Sequence, residues 1–199
     1  MKEINVKGTA RAAFGKKAAR EIRKANAVPC NLYGEAKDEN GAPVALPFTV
    51  TNDELRNLIY SPDIYAVNLN IDGKECKAIL KEIQFHPVKD NVLHVDFYEI
   101  TDTKPIVMEV PIKLNGLAEG VKAGGKLTLQ MRKLKVKALY NAIPEKLIIN
   151  VSHLGLGKTV KVGELSYEGL ELLNAKEAVV CAVKLTRAAR GAAAAAANN

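Results

Sequence analysis

The chain has 199 residues, 48% of them hydrophobic and 26% charged, with a formal net charge of +7 and a pI near 9.2. That length fits one large domain or two of about 100 residues, and the composition excludes a wholly disordered chain. No apolar run reaches membrane-spanning length, Met1–Val6 does not read as a signal peptide, and aromatics at 5% with no Trp argue against a large aromatic cage. The three cysteines, Cys30, Cys76 and Cys181, are odd in number and far apart. They support neither a disulfide framework nor a zinc knuckle, and they suit a reducing cytoplasm, with Cys30 and Cys181 as small core residues.

In chain order, Ile4 and Val6 alternate with polar residues, a first strand over Lys2–Lys7. Gly8 and Gly15 supply flexible backbone before a basic helix that runs to about Ala25 and sets Ala18, Ile22 and Ala25 against a core. A strand over Val28–Tyr33 has Pro29 near its start, which reads as an edge or entry position. Asn40-Gly41 marks a turn, Val44–Val50 is a strand, and Thr51 with Glu54 forms a capping box that opens a helix carrying Leu55, Leu58 and Ile59. Tyr65–Ile71 and Lys74–Ile83 flank Asp72-Gly73, the signal of a two-residue hairpin. After a loop at Phe85–Lys89, Asn91–Ile100 alternates, so that Leu93, Val95 and Phe97 face a core while His94 and Asp96 lie on the exposed face.

Near Thr101–Pro105 the pattern changes and strands take over, which places a domain boundary there. Ile106–Leu114 reads as a strand broken by Pro111, Asn115–Gly125 as a Gly-rich connection, and Leu127–Leu139 as a strand or bulged hairpin. Strands over Pro144–Val151, Thr159–Val162 and Ala178–Leu185 complete a second β-rich domain, a sandwich or barrel. The last twelve residues, 188–199, form a low-complexity Ala-rich tail. The fold class is therefore mostly β with short helices (α+β): residues 1–100, 101–187 and the tail.

The chemistry concentrates in Lys7–Lys24. Seven of these eighteen residues are cationic and one is acidic, a net +6 against +7 for the whole chain. Lys16, Arg20, Arg23 and Lys24 fall on one helix face. Such faces are ordinarily only solvated, but these cations are not interleaved with acids, and Tyr33 follows at the end of a strand, where it can stack on or hydrogen-bond to a nucleotide. A glycine before a helix N-terminus among cations fits a polyphosphate. An enzyme finds little support. His94 and Asp96 are two apart on one strand face, but there is no third ligand at useful spacing and no nucleophile elbow, so a surface hydrogen bond or RNA contact is the reading. Gly155-Leu156-Gly157-Lys158-Thr159 lacks the rest of a phosphate loop and reads as a turn.

Gly15–Arg23 with Val28-Pro29 and Leu32-Tyr33-Gly34 resembles the N-terminal signature of the bacterial large-subunit ribosomal protein twenty-five family, in its general stress protein CTC form. Gln84, His86-Pro87 and Leu93-His94-Val95-Asp96-Phe97 resemble its second signature, and Val110-Pro111-Ile112 with Gly120–Gly125 resembles the opening of the CTC-type C-terminal domain. The likeness covers about residues 1–187. It implies an N-terminal β-barrel that binds the loop E region of 5S rRNA, a cytoplasmic place on the ribosome, and neighbouring ribosomal surface as the second domain's partner. It implies no enzyme activity, cofactor, membrane or small-molecule substrate. The RNA-contact candidates are Arg11, Lys16, Lys17, Arg20, Arg23, Lys24, Tyr33, Gln84, His86, His94 and Asp96, with Arg and Lys on phosphates and His94 and Asp96 on 2′-hydroxyls or base edges. Two positions depart from the family pattern: Glu21 stands where a basic residue is common and Lys17 where a small one is, which moves one cation along the helix. The alternative from another class is a stress-response module whose second domain binds protein.

Overall fold

In a computed structural model of the chain, residues 1–37 and 43–187 are described. The Asn40-Gly41 turn and the Ala-rich tail lie outside them. The chain divides between Lys104 and Pro105 into two compact units.

The first unit is a closed six-stranded barrel. Its strands are β1 (Lys2–Ala10), β2 (Ala27–Lys37), β3 (Pro43–Thr51), β4 (Tyr65–Ile71), β5 (Lys74–Phe85) and β6 (Val92–Glu99), and they close in the order β1-β3-β2-β6-β5-β4. Two pairings are parallel: β1 with β4, from Lys2↔Tyr65 to Gly8↔Ile71, and β2 with β6, from Cys30↔Val95 to Tyr33↔Tyr98. Closure leaves no edge strand. Alternation sends Val6, Val28, Cys30, Phe48, Val50, Val67, Leu69, Val95 and Phe97 inward, where all are buried and the Phe48 and Phe97 rings pack 5.7 Å apart. Between β4 and β5 the turn needs left-handed backbone at both central residues, and Asp72 (φ 49°) and Gly73 (φ 90°) supply it.

Helix α1 (Gly15–Lys24) joins β1 to β2, and α2 (Asn52–Ile59) follows β3. Gly8 is not a flexible link; it sits inside β1, where a Cβ would lie 2.6 Å from Phe48 Cδ2. Pro29 is not on an edge: β2 runs between β3 and β6, and the ladder with β6 begins one residue later at Cys30, so the missing N–H breaks nothing there. Thr51 occupies the N-cap position of α2 without a side-chain cap bond. Glu54 does not close a capping box because its Oε2 accepts the backbone N–H of Lys7 at 2.5 Å. No residue of α1 is buried; Ala18, Ala19 and Ile22 are half-covered and Ala25 is exposed.

The second unit holds two sheets. One has the order β10-β7-β9-β12, from β7 (Ile106–Asn115), β9 (Lys133–Ala138), β10 (Leu147–Asn150) and β12 (Glu171–Leu172). The other is β11-β13-β8, from β8 (Lys126–Leu129), β11 (Thr159–Lys161) and β13 (Val179–Lys184). A short helix α3 (Glu119–Lys122) lies in the Gly-rich connection. Pro111 does not break β7: it is the last residue paired with β9, and Ile112 is the first paired with β10, so the proline falls where the partner changes. Leu127–Leu139 is not a hairpin either, since β8 and β9 belong to different sheets. Gly155–Thr159 is a turn that runs into strand β11, with Gly157 at φ 74°.

Candidate nucleic-acid interface

The basic helix starts at Gly15, whose φ of 92° favours glycine although a Cβ there would meet nothing. Phe14 holds the N-cap position without a side-chain cap bond, and the first turn has no acidic residue. Lys16 and Lys17 therefore add positive charge to the positive end of the helix dipole, an arrangement that favours an anion there. Arg23 and Lys24 occupy the last turn, where cations are favourable. Lys16, Lys17, Arg20, Arg23 and Lys24 are all exposed. At its far end the helix is held by Asn26 (φ 58°), whose carbonyl accepts from Asn52 N at 3.1 Å and whose Oδ1 accepts from Asn52 Nδ2 at 2.7 Å.

The second part of the site is the outer face of β5, β6 and β2. Its register sets Gln84 beside His94, and Glu82, Asp96 and Asn31 in the next row. Tyr98 and Tyr33 follow, with ring centroids 5.9 Å apart at 73°, edge to face. His94 and Asp96 share the face as parity requires, but they are not fully exposed: their side chains keep 20% and 22% of their accessible surface and meet at 3.2 Å, His94 Nδ1 to Asp96 Oδ1. The carboxylate thus has a donor and orients the imidazole, so a neutral ring presents its Nε2 as an acceptor. His86 is set the other way. Its Nδ1 accepts the backbone N–H groups of Val88 and Lys89, both at 3.2 Å, which leaves Nε2–H as the donor of a neutral ring. Burial first, then the charges of Asp96 and Glu82, raises the Tyr33 phenol above its ordinary pKa, so it remains a hydrogen-bond donor.

Parity fails at two adjacent residues. Val92, not Leu93, is buried, because a bulge pairs Phe85 with Val92 and Gln84 with His94 and leaves Leu93 unmatched. The bulge turns the Leu93 carbonyl toward α1, where it accepts from Arg23 Nε at 3.0 Å and Nη2 at 2.8 Å. This fork is the link that brings the basic helix beside His94. On the other flank, Arg11 N–H donates to Pro47 O at 3.0 Å, and Pro47 lies across from Asn31 in the Asp96 row. The Arg11 guanidinium stands 5.5 Å from the Phe14 ring centroid, and its buried Nε has no hydrogen-bond partner among the described residues.

The structure thus brings Gln84, His94, Asp96 and Tyr33 onto one face, with Arg23 at one border and Arg11 at another. Lys16, Lys17, Arg20 and Lys24 stand along the exposed helix, and His86 serves first to hold its own turn. Asn31, Glu82 and Tyr98 also line the face, although the sequence reading did not single them out. Period-two alternation from the buried Cys30 and Leu32 would have found Asn31. Among the described residues no three His, Cys, Asp or Glu side chains group as a metal site, and no helix is long and apolar enough to cross a membrane.

Residues 6–97 match the family described as Ribosomal L25p family, and residues 105–187 match Ribosomal protein TL5, C-terminal domain. Among relatives, the chain is 73% identical over 194 residues to the large ribosomal subunit protein bL25 of Phocaeicola vulgatus, covering 98% of each chain. It is 70% identical over 201 residues to that of Bacteroides thetaiotaomicron, covering 98% of this chain and 99% of the relative. Against the Porphyromonas gingivalis protein of the same name the identity is 63% over 194 residues, covering 97% and 98%.

Proposed function

Because the chain belongs to the ribosomal L25p family, we propose that it is a structural protein of the large ribosomal subunit, at work on cytoplasmic ribosomes, and that its barrel unit binds the loop E region of 5S rRNA. The observation that carries the RNA reading is the charge on α1: cations crowd the first turn against the helix dipole with no acid to offset them. A phosphate backbone relieves that repulsion.

The adjoining face complements it. Irregular RNA loops expose base edges and 2′-hydroxyls, and the Tyr33 hydroxyl, the His94–Asp96 pair and Gln84 offer both donors and acceptors to them. In this reading the helix and Arg11 hold phosphates, and the face on β5, β6 and β2 distinguishes this RNA from others. The test is a salt titration of the full chain with 5S rRNA and with a random-sequence RNA duplex. A steep salt dependence on both, with clear preference for 5S rRNA, is expected. Equal affinity for the two RNAs would overturn the proposal.

A further inference from the structure

The strand pairing of the second unit places four lysines on one side of one sheet. On β9 the odd residues Lys133, Lys135 and Lys137 point away from the core, while Leu134, Val136 and Ala138 are buried. The β7 register continues the outer face with Glu109 opposite Lys135, Pro111 opposite Lys133, and Lys113 beside Ile148 of β10. Glu171 of β12 sits opposite Lys137 and pairs with it at 3.2 Å. Lys113, Lys133 and Lys135 are exposed and make no ion pair among the described residues.

On its far side from β7, β9 is paired with β12 only at Val136 and Lys137, and the Lys135 backbone is bonded by Leu173 N and Asn174 Oδ1. Residues two apart on a strand are about 6.7 Å apart, so the three β9 cations repel one another, and lysine is a poor strand former. Some lysines outside this face pair with carboxylates, as in Lys161–Glu177 at 2.6 Å and Lys77–Glu3 at 3.5 Å. Here four cations face two carboxylates, with no aromatic residue at the outward β7 positions Val107, Glu109, Pro111 and Lys113. Without stacking groups such a face suits an ordered backbone rather than splayed bases.

We infer that the outer face of β10-β7-β9-β12 is a second RNA-binding surface, which tracks the phosphates of double-stranded RNA through Lys113, Lys133 and Lys135 without reading sequence. It lies on different residues from the barrel site and serves a different form of RNA.

The experiment uses the full chain saturated with unlabelled 5S rRNA and titrated with a labelled 20-base-pair duplex RNA of random sequence across a range of salt. The variant Lys113→Gln/Lys133→Gln/Lys135→Gln should lose about tenfold or more in duplex affinity at low salt. Its log–log salt slope should fall by about 2 to 3 in magnitude, at about 0.9 for each phosphate that is no longer neutralised. The corresponding triple Lys→Arg variant should keep wild-type binding, which separates charge from packing. Affinity of both variants for 5S rRNA, read in the same preparation, should be unchanged. Unchanged duplex affinity and slope in the Gln variant would overturn the inference. So would a Gln variant that binds duplex normally yet dissociates from large subunits, since the face would then meet protein.

Discussion

Arg23 carries two roles that a substitution series can separate. Its guanidinium gives two charge-assisted hydrogen bonds, at 3.0 and 2.8 Å, to the carbonyl that the β6 bulge releases at Leu93. Arg20, one turn earlier, makes no hydrogen bond among the described residues and stands in solvent. A buried bond to a charged group contributes about 1.5–3 kcal/mol. This pair is at the surface, so Arg23→Ala should lower stability by about 1 kcal/mol, against about zero for Arg20→Ala. Arg23→Lys keeps the charge but cannot form the fork, so it should lose most of that stability while the salt slope of RNA binding stays near wild type. Arg20→Ala should do the reverse, with unchanged stability and a salt slope smaller by about 1. Urea unfolding gives the first quantity and fluorescence titration across salt the second. An Arg23→Ala midpoint equal to wild type, or an Arg20→Ala midpoint as low as that of Arg23→Ala, would refute the assignment of Arg23 as the helix anchor.

Three further outcomes are expected. His94→Ala should lower affinity for 5S rRNA by about 1–2 kcal/mol more than for random duplex RNA, because a base-edge or 2′-hydroxyl contact is specific where a phosphate contact is not; equal losses in parallel titrations would make it a general contact. A thiol-reactive dye at pH 8 should modify Cys76 in the native chain and reach the buried Cys30 and Cys181 only after unfolding. Burial, followed by the Asp96 charge, pushes the Cys30 thiol from 9.0 up to about 12, so its contribution to stability is complete below pH 9 and is lost as pH rises from there towards 12, which urea midpoints at stepwise alkaline pH would follow. Residues 1–104 alone should melt cooperatively and retain RNA binding, and a non-cooperative melt in calorimetry would show that the barrel depends on the rest of the chain.

Local sequence determined much of this protein. Period-two alternation placed most strands, Asp72-Gly73 specified its turn, and the excess of cations in Lys7–Lys24 marked the exposed basic helix. The side of β6 that carries His94 and Asp96 was likewise legible from its alternation. Tertiary pairing decided the rest. Nothing near Pro29 or Pro111 in sequence tells that one stands just ahead of a ladder and the other at a change of partner, because a proline's cost depends on which neighbour needs its N–H. Glu54 left its capping box for the Lys7 amide, a partner 47 residues away. The bulge at Leu93 arises from matching β6 to β5 inside a closed barrel, and it both shifts Val92 into the core and frees the carbonyl that Arg23 grips. The period of a strand is a property of its own backbone, whereas register, bulges and the partners of polar groups are settled between segments distant in the chain.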